Sequence, residues 1–404
     1  DLRTSLQSGH LDFSWQDERG EVRHTAEVEG SWSGEAYQLH FIGDRLRLAY
    51  NDYKINPENS LSLRKKDYFL LGSLQLAGEK RGEFSLLAEE STPGVQDITL
   101  GIHKLYLEDY RSLGLPDIGG IFFGDVHYQR KGDLSQQPTI SGDLSIADLR
   151  YEDKKLGHFT SSLFYEPRSG DSHYITADIG YNGQSAMTID GIYHPREKTS
   201  PLSGTLTLNA FPLELANPFL AANATSLKGT AEGSIRLSGK LTEPLLSGKM
   251  NLSDAMVHLD SYGMHLVLDS MPVRMENSDI YFDHYAIRPS VDTKKAIYLD
   301  GSIRKSTTPQ ATASLRITSD ELTLLDEPRP RRDDQLLYGR IIASTNMNVS
   351  GPMTALRVRG GINVLSGTSC TYILREDPLK TGEQSDELVQ FVDFSDTLFT
   401  KSPE

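Results

Sequence analysis

Residues 229–254, GTAEGSIRLSGKLTEPLLSGKMNLSD, alternate in character residue by residue. Ala231, Gly233, Ile235, Leu237, Gly239 and Leu241 share one parity, while Glu232, Ser234, Arg236, Ser238, Lys240 and Thr242 share the other. Side chains of an extended strand point to opposite faces with a period of two, so this stretch predicts a strand with one apolar face. A turn at Glu243-Pro244 follows, and the pattern restarts with Leu246, Gly248, Met250 and Leu252 against Ser247, Lys249, Asn251 and Ser253. The unit is strand, turn, strand, and both strands need cover on one side only.

The same unit recurs along the chain. Pro138 leads to Ser141-Gly142, Pro201 to Ser203-Gly204 and Pro244 to Ser247-Gly248, and a further copy surrounds Ser350-Gly351-Pro352. These are degenerate internal repeats with variable insertions. Between them, alternating runs such as Leu11-Phe13-Trp15, Tyr37-Leu39-Phe41, Ile98-Leu100-Ile102 and Ile140-Gly142-Leu144-Ile146 are divided by Gly, Asn, Asp and Pro turn formers. Strands resume at 255–259, 264–268, 280–287, 297–303 and 311–317. Only two stretches suggest helix: 106–113, where Leu107, Tyr110 and Leu113 share a face, and 210–221, where Pro212 and Pro218 keep any helix short.

The expected fold class is therefore all-β with very little helix. Three architectures accommodate such strands: tandem sandwiches, a parallel β-helix, and an elongated sheet curled into a trough with an apolar groove and a polar exterior. Only two Trp residues and no linker-like break speak against sandwiches, and no strict short period speaks for a β-helix. The trough suits the pattern best. It is expected to run continuously over 1–378, with an acidic tail over 379–404 that carries one amphipathic patch around Phe391 and Phe394.

Function classes narrow in the same way. The formal net charge of −15 and the lack of a long Lys/Arg run exclude a nucleic-acid backbone as partner. No run of 18 apolar residues is present, and no signal peptide opens the chain. The abrupt start at Asp1 reads as a piece of something longer, with any membrane anchor upstream.

No catalytic site is expected. Ser141, Ser203, Ser247 and Ser350 precede glycine, but none forms Gly-x-Ser-x-Gly. Cys370, the single cysteine, reads as a small buried residue. Glu89-Glu90 and Asp333-Asp334 read as solvated charge, and His173 beside Asp171 and His284 beside Asp283 as solvated loop residues. His258 and His265 are taken to be set apart by strands of opposite parity, so no metal site and no cofactor are expected. The candidate binding residues are instead the apolar parity of the repeats: Leu206, Leu208, Ile235, Leu237, Leu241, Leu246, Met250, Leu252, Leu315, Ile317, Val349, Leu356, Val358, Ile362 and Val364. From the pattern alone, they line either an open groove or an ordinary closed core.

A family resemblance bears on that choice. Leu237-Ser238-Gly239, then Pro244, then Ser247-Gly248 resembles the repeat of the TamB family, AsmA-like translocation and assembly module subunits of diderm bacteria. Over 202–379 the order of motifs, from the apolar corner AFPLELANPFLA to VSGPMTALRVRGGINVLSGTSCTYILREDPL, resembles the C-terminal part of TamB proteins, and the closing Thr371-Tyr372-Ile373-Leu374 with Asp377-Pro378-Leu379 and the later Phe391-Val392-Asp393-Phe394 resembles the Bacteroidetes branch. The resemblance implies a twisted U-shaped sheet, a β-taco, anchored in the inner membrane and spanning the periplasm. It implies a groove that shields phospholipid acyl chains between inner and outer membrane. It also implies outer-membrane protein biogenesis with an Omp85-family (TamA-like) partner. The alternative function is that of a structural or adhesive β-sandwich repeat protein that binds protein or glycan.

Overall fold

The computed structural model describes residues 2–373, apart from 5–6, 44, 79–80, 114–116, 153, 220–225, 241, 293 and 332–334. Within these residues the chain forms 26 strands, and all of them belong to one antiparallel sheet. Most strands pair with their neighbours in sequence, because short turns reverse the chain and leave consecutive strands side by side. Where the order skips, one long strand is flanked by two short ones set end to end. Met264–Leu268 and Val273–Glu276 thus share the flank of Glu243–Leu259, and Arg357–Val364 and Ser369–Tyr372 share that of Leu337–Pro352. Counted along the ladder this is roughly twenty strand widths, or about 100 Å. A parallel β-helix and tandem sandwiches are both excluded for the described residues.

The two helical expectations are corrected. Tyr106 ends the strand Val95–Tyr106, and Leu107–Leu113 is a 3-10 helix. Ala210, Phe211 and Pro212 belong to the strand Leu202–Pro212, and the 3-10 helix Leu213–Phe219 follows. A third, Asp260–Tyr262, closes the hairpin after Glu243–Leu259. The proposed tail 379–404, with Phe391 and Phe394, lies outside the described residues, as do Leu241, Asp333 and Asp334.

A line of β-bulges crosses the sheet. Register shifts fall between Ile102 and Leu105, Ile146 and Leu149, Leu208 and Phe211, Lys228 and Thr230, Phe282 and Tyr285, and Ser319 and Leu322. All lie toward the rim that carries the three 3-10 helices. Lys104, Asp148, Ala210, Asp254 and His284 take left-handed backbone angles there, with φ between 49° and 57°. A bulge bends its strand and sharpens its twist, so a row of them makes a crease. Each one also inverts the apolar parity, as Leu206-Leu208 gives way to Phe211 and Met250-Leu252 to Ala255-Val257. The apolar residues therefore stay on one side of the sheet through the crease. The separate strand expected at 255–259 is the continuation of Glu243–Leu259 past its bulge.

The buried core sits at that crease. Ala231, Leu252, Ala255, Val273 and Tyr285 form one cluster, joined by Phe211, Leu268 and Leu299 from beyond the bulges and by Met250 and Ile280 from before them. No second layer covers the sheet among the described residues, so full burial here means that the sheet folds over its own apolar face. A smaller cluster, Leu46, Tyr53, Ile55 and Leu76, serves the first strands.

Glycine matters most where strands must close tightly. Gly301, between Phe282 and Leu315, has φ +122°, and a Cβ there would stand 2.1 Å from the Ser314 carbonyl oxygen. Gly301→Ala is expected to weaken this part of the sheet by about 2 kcal/mol or more. Hydrogen exchange is expected to speed up in Ile297–Arg304 and Thr312–Glu327, and unchanged protection there would refute the close approach.

Candidate functional site

Residues directly opposite each other on neighbouring strands project to the same face. One row can be followed on this basis from strand to strand. It runs Leu74, Leu86, Leu100, Val126, Gly142, Leu163, Ala177 and Ile189 through the first half of the sheet. It continues through Leu206, Ile235, Gly248, Met275, Ile280, Ile303, Ala313 and Gly351. No polar side chain interrupts it. One residue along each strand, the opposite face reads Thr176, Asp190, Thr205, Arg236 and Ser247.

The predicted binding residues fall on the apolar face. Leu206 faces Ile235, Leu237 faces Leu246, and Leu208 and Met250 flank Gly233. Leu252 pairs with Ala231, and Leu315 faces Val349, which faces Val358. Ile317 lies opposite Met347, Ile362 opposite Thr345 and Val364 opposite Ala343. Leu356 is placed in the turn before Arg357–Val364 rather than on a strand. Only Ile235 and Leu252 of this set are fully buried. Leu206, Leu208, Leu237, Leu246, Met250, Leu315, Ile317 and Val349 are half-buried, and Val358, Ile362 and Val364 on the last long strand are 54–65% exposed. Leu11, Phe13 and Leu39 are similarly exposed at the first strands. The face is thus covered at the crease and accessible along most of its length.

Charge is confined to the other face and to the rims. Arg64 binds Asp67 at 2.7 Å and Glu90 at 2.8 Å. These hydrogen bonds, Asp67 first, hold the guanidinium above its usual range, and Arg64 in turn pulls both carboxyls below theirs. Glu90 is therefore an ion-pair partner and not merely solvated charge. At the crease, burial and then Asp269 push the Tyr285 phenol up to about 12, and its hydroxyl donates to the Asp269 carbonyl at 2.5 Å.

Other sequence expectations change in the structure. His173 is buried in the strand Ser172–Tyr181, where its ring meets Tyr165 and Tyr193. His284 is exposed, stacks on Tyr298 at 3.9 Å and lies 3.6 Å from Asp300. Cys370 is exposed on the short edge strand Ser369–Tyr372. His258 and His265, taken to be apart, face each other directly across a hairpin. Ser141, Ser203, Ser247 and Ser350 lie in strands on the polar face. A shallow cleft of about 500 Å³ does exist among the first strands, but Ser8, His10, Glu29, Gln38, His40 and Ser60 line it from the polar side.

One comparison with known proteins finds a match. Residues 174–252 match the family model described as TamB, N-terminal domain. Over these residues the chain carries a TamB-family domain. The match includes the strands Gln184–Tyr193, Leu202–Pro212 and Ser226–Lys240, and so the repeat that is most regular in sequence. The motifs over 202–379 resemble the C-terminal part of TamB proteins, while the matched model describes the N-terminal domain; both point to one family. TamB proteins are linked to lipid and protein transport at the cell envelope. No curated protein and no solved structure matches the chain. No helix among the described residues is long and apolar enough to cross a membrane.

Proposed function

We propose that this chain is part of a periplasm-spanning, lipid-conducting TamB scaffold of the Bacteroidetes type, with 202–379 toward its C-terminal end. The apolar face holds phospholipid acyl chains on their way between inner and outer membrane. The whole protein is anchored in the inner membrane and assists outer-membrane protein biogenesis with an Omp85-family partner. No catalytic step is assigned to it.

The observation that carries this reading is the uninterrupted apolar row from Leu74 to Gly351 on a face that is only half-buried. An acyl chain leaving a bilayer loses roughly 0.8 kcal/mol of apolar burial per CH₂, so free passage through water is prohibitive. A face of Leu, Ile, Val, Ala and Gly offers similar contact at every strand, and a chain can slide along it without a deep trap. Exposed apolar surface of this extent marks an interaction site, and its continuity across strands suits a long flexible occupant better than a globular one. The adhesive alternative rested on sandwiches, and a single sheet removes that support.

Native mass spectrometry of the purified protein, followed by lipid extraction, tests the reading. At least one phospholipid per chain is expected. A lipid-free mass, with no uptake from labelled phospholipid vesicles, would exclude an acyl-chain conduit.

A further inference from the structure

The hairpin Glu243–Leu259 and Met264–Leu268, closed by Asp260–Tyr262, sets His258 directly opposite His265. Their Nδ1 atoms lie 3.1 Å apart, and the two rings stand nearly perpendicular with centroids separated by 4.5 Å. Ser226 on one neighbouring strand and Ser290, just past the end of Asp279–Pro289, flank the pair, and Val257 and Leu266 occupy the opposite face. At most one proton can sit between two nitrogens at this distance, so at least one ring presents a bare lone pair to the other. The Nε2 of His258, on the other side of the ring, is buried and has no hydrogen-bond partner among the described residues. Burial first, then the charges of His265 and Lys228, hold His258 below the usual histidine range, with Asp260 acting weakly the other way.

Geometry identifies the ligand class. Two metal–nitrogen bonds of about 2.05 Å that span 3.1 Å enclose an angle of about 98°. That lies between octahedral and tetrahedral values. Paired imidazoles select zinc, copper or nickel and disfavour magnesium and calcium, which take oxygen ligands. We propose that His258 and His265 form a two-imidazole site for a borderline divalent transition metal, with water in the remaining positions. On binding, the proton shared between the two Nδ1 atoms leaves that position, for Nε2 of its own ring or for solvent. Among the described residues no group of three or more His, Cys, Asp or Glu side chains could hold a metal. The site is therefore open and exchangeable rather than a closed structural one. Bound metal clips Glu243–Leu259 to Met264–Leu268 at the rim of the crease, next to the buried cluster of Ala255 and Tyr285.

Calorimetric titration of ZnCl₂ into the protein without a histidine tag tests the site. One zinc per chain in the micromolar range is expected. His258→Asn and His265→Asn, which keep a polar side chain, are each expected to weaken binding by at least about tenfold. His284→Asn, at an exposed histidine elsewhere, is expected to leave it unchanged. Should either hairpin variant misfold by circular dichroism, the Cu²⁺-loaded wild type decides, because its electron paramagnetic resonance must show two imidazole nitrogens on one copper. Absence of one-equivalent binding, binding that survives both hairpin substitutions, or a copper spectrum with fewer than two nitrogens would overturn the proposal.

Discussion

Placing a carboxylate at Leu237 and another at Leu315 is expected to strip phospholipid from the protein while leaving the sheet intact. Leu237 lies opposite Gly204 and Leu246, and Leu315 lies between Gly301 and Val349. Both are half-buried, so aspartate at either position can turn its head toward water without an unpaired charge deep in a core. An acyl chain lying on the same face would have to pass that charge. The penalty for a charged group in hydrocarbon is about 2.5–3.5 kcal/mol on insertion scales, roughly a hundredfold in occupancy at each position. Ser234→Asp is the control. Ser234 is on the opposite face, across from Thr207 and Lys249, so its variant is expected to keep its lipid. Lipid counts from native mass spectra and circular dichroism of the three variants separate the possibilities. Equal lipid loss in the control would mean that charge acts without regard to face. Unfolding of both leucine variants would mean that these residues fill a closed core.

Much of this architecture can be read from the alternation. Leu206, Leu208, Ile235, Leu237, Leu246 and Met250 were assignable to one face because a period of two leaves no other choice within a strand. The crease was legible in principle but hidden by its own mechanism. A bulge inverts parity, so Met250-Leu252 and Ala255-Val257 read as two strands when they are one. The parity argument that separated His258 from His265 failed for a related reason. Within one strand parity fixes the face, but across a hairpin the turn decides which residues meet, and Asp260–Tyr262 brings these two opposite each other. A cysteine's general tendency is toward burial, but Cys370 sits on an edge strand across from Gly339, and among the described residues nothing covers its other side, so it is exposed. The burial of His173 depends on Tyr165 and Tyr193 from the two flanking strands, which no local pattern announces.

The same holds for the most tightly built part of the rim, where the largest effect on stability is expected. Phe69 opens the strand Phe69–Gly78 and is completely buried. Arg64 stacks on its ring at 4.9 Å and Arg130 at 5.5 Å, while Arg130 donates to the carbonyls of Asp67 at 3.1 Å and Tyr68 at 3.0 Å. Two strands, Glu83–Thr92 and Val95–Tyr106, separate Arg130 from that turn in the ladder. On a flat sheet the gap of three strand spacings is about 14 Å, beyond the reach of an arginine, so the contact requires the sheet to curl here. Gln96, also buried, locks the curl by accepting from the Leu70 N–H at 2.5 Å and donating to its carbonyl at 2.8 Å.

Phe69→Ala removes the ring that both guanidiniums cover and leaves a cavity beside buried Arg130. Truncation of a buried Phe costs about 3–5 kcal/mol. In a long sheet whose strands pair mainly with their neighbours, that cost falls on the strands around the ring and the two that hold Gln96 and Arg130. Hydrogen exchange is therefore expected to accelerate by roughly a thousandfold in Phe69–Gly78 and Val95–Tyr106, and to stay unchanged in Glu243–Leu259. Phe69→Leu, which keeps most of the volume but not the aromatic face, should fall between. Acceleration spread evenly over the whole sheet would show that it opens as one cooperative unit. Unchanged exchange around Phe69 would show that the curl is held by the backbone ladder alone, and a conduit wall without such a lock could flatten and release its occupant sideways.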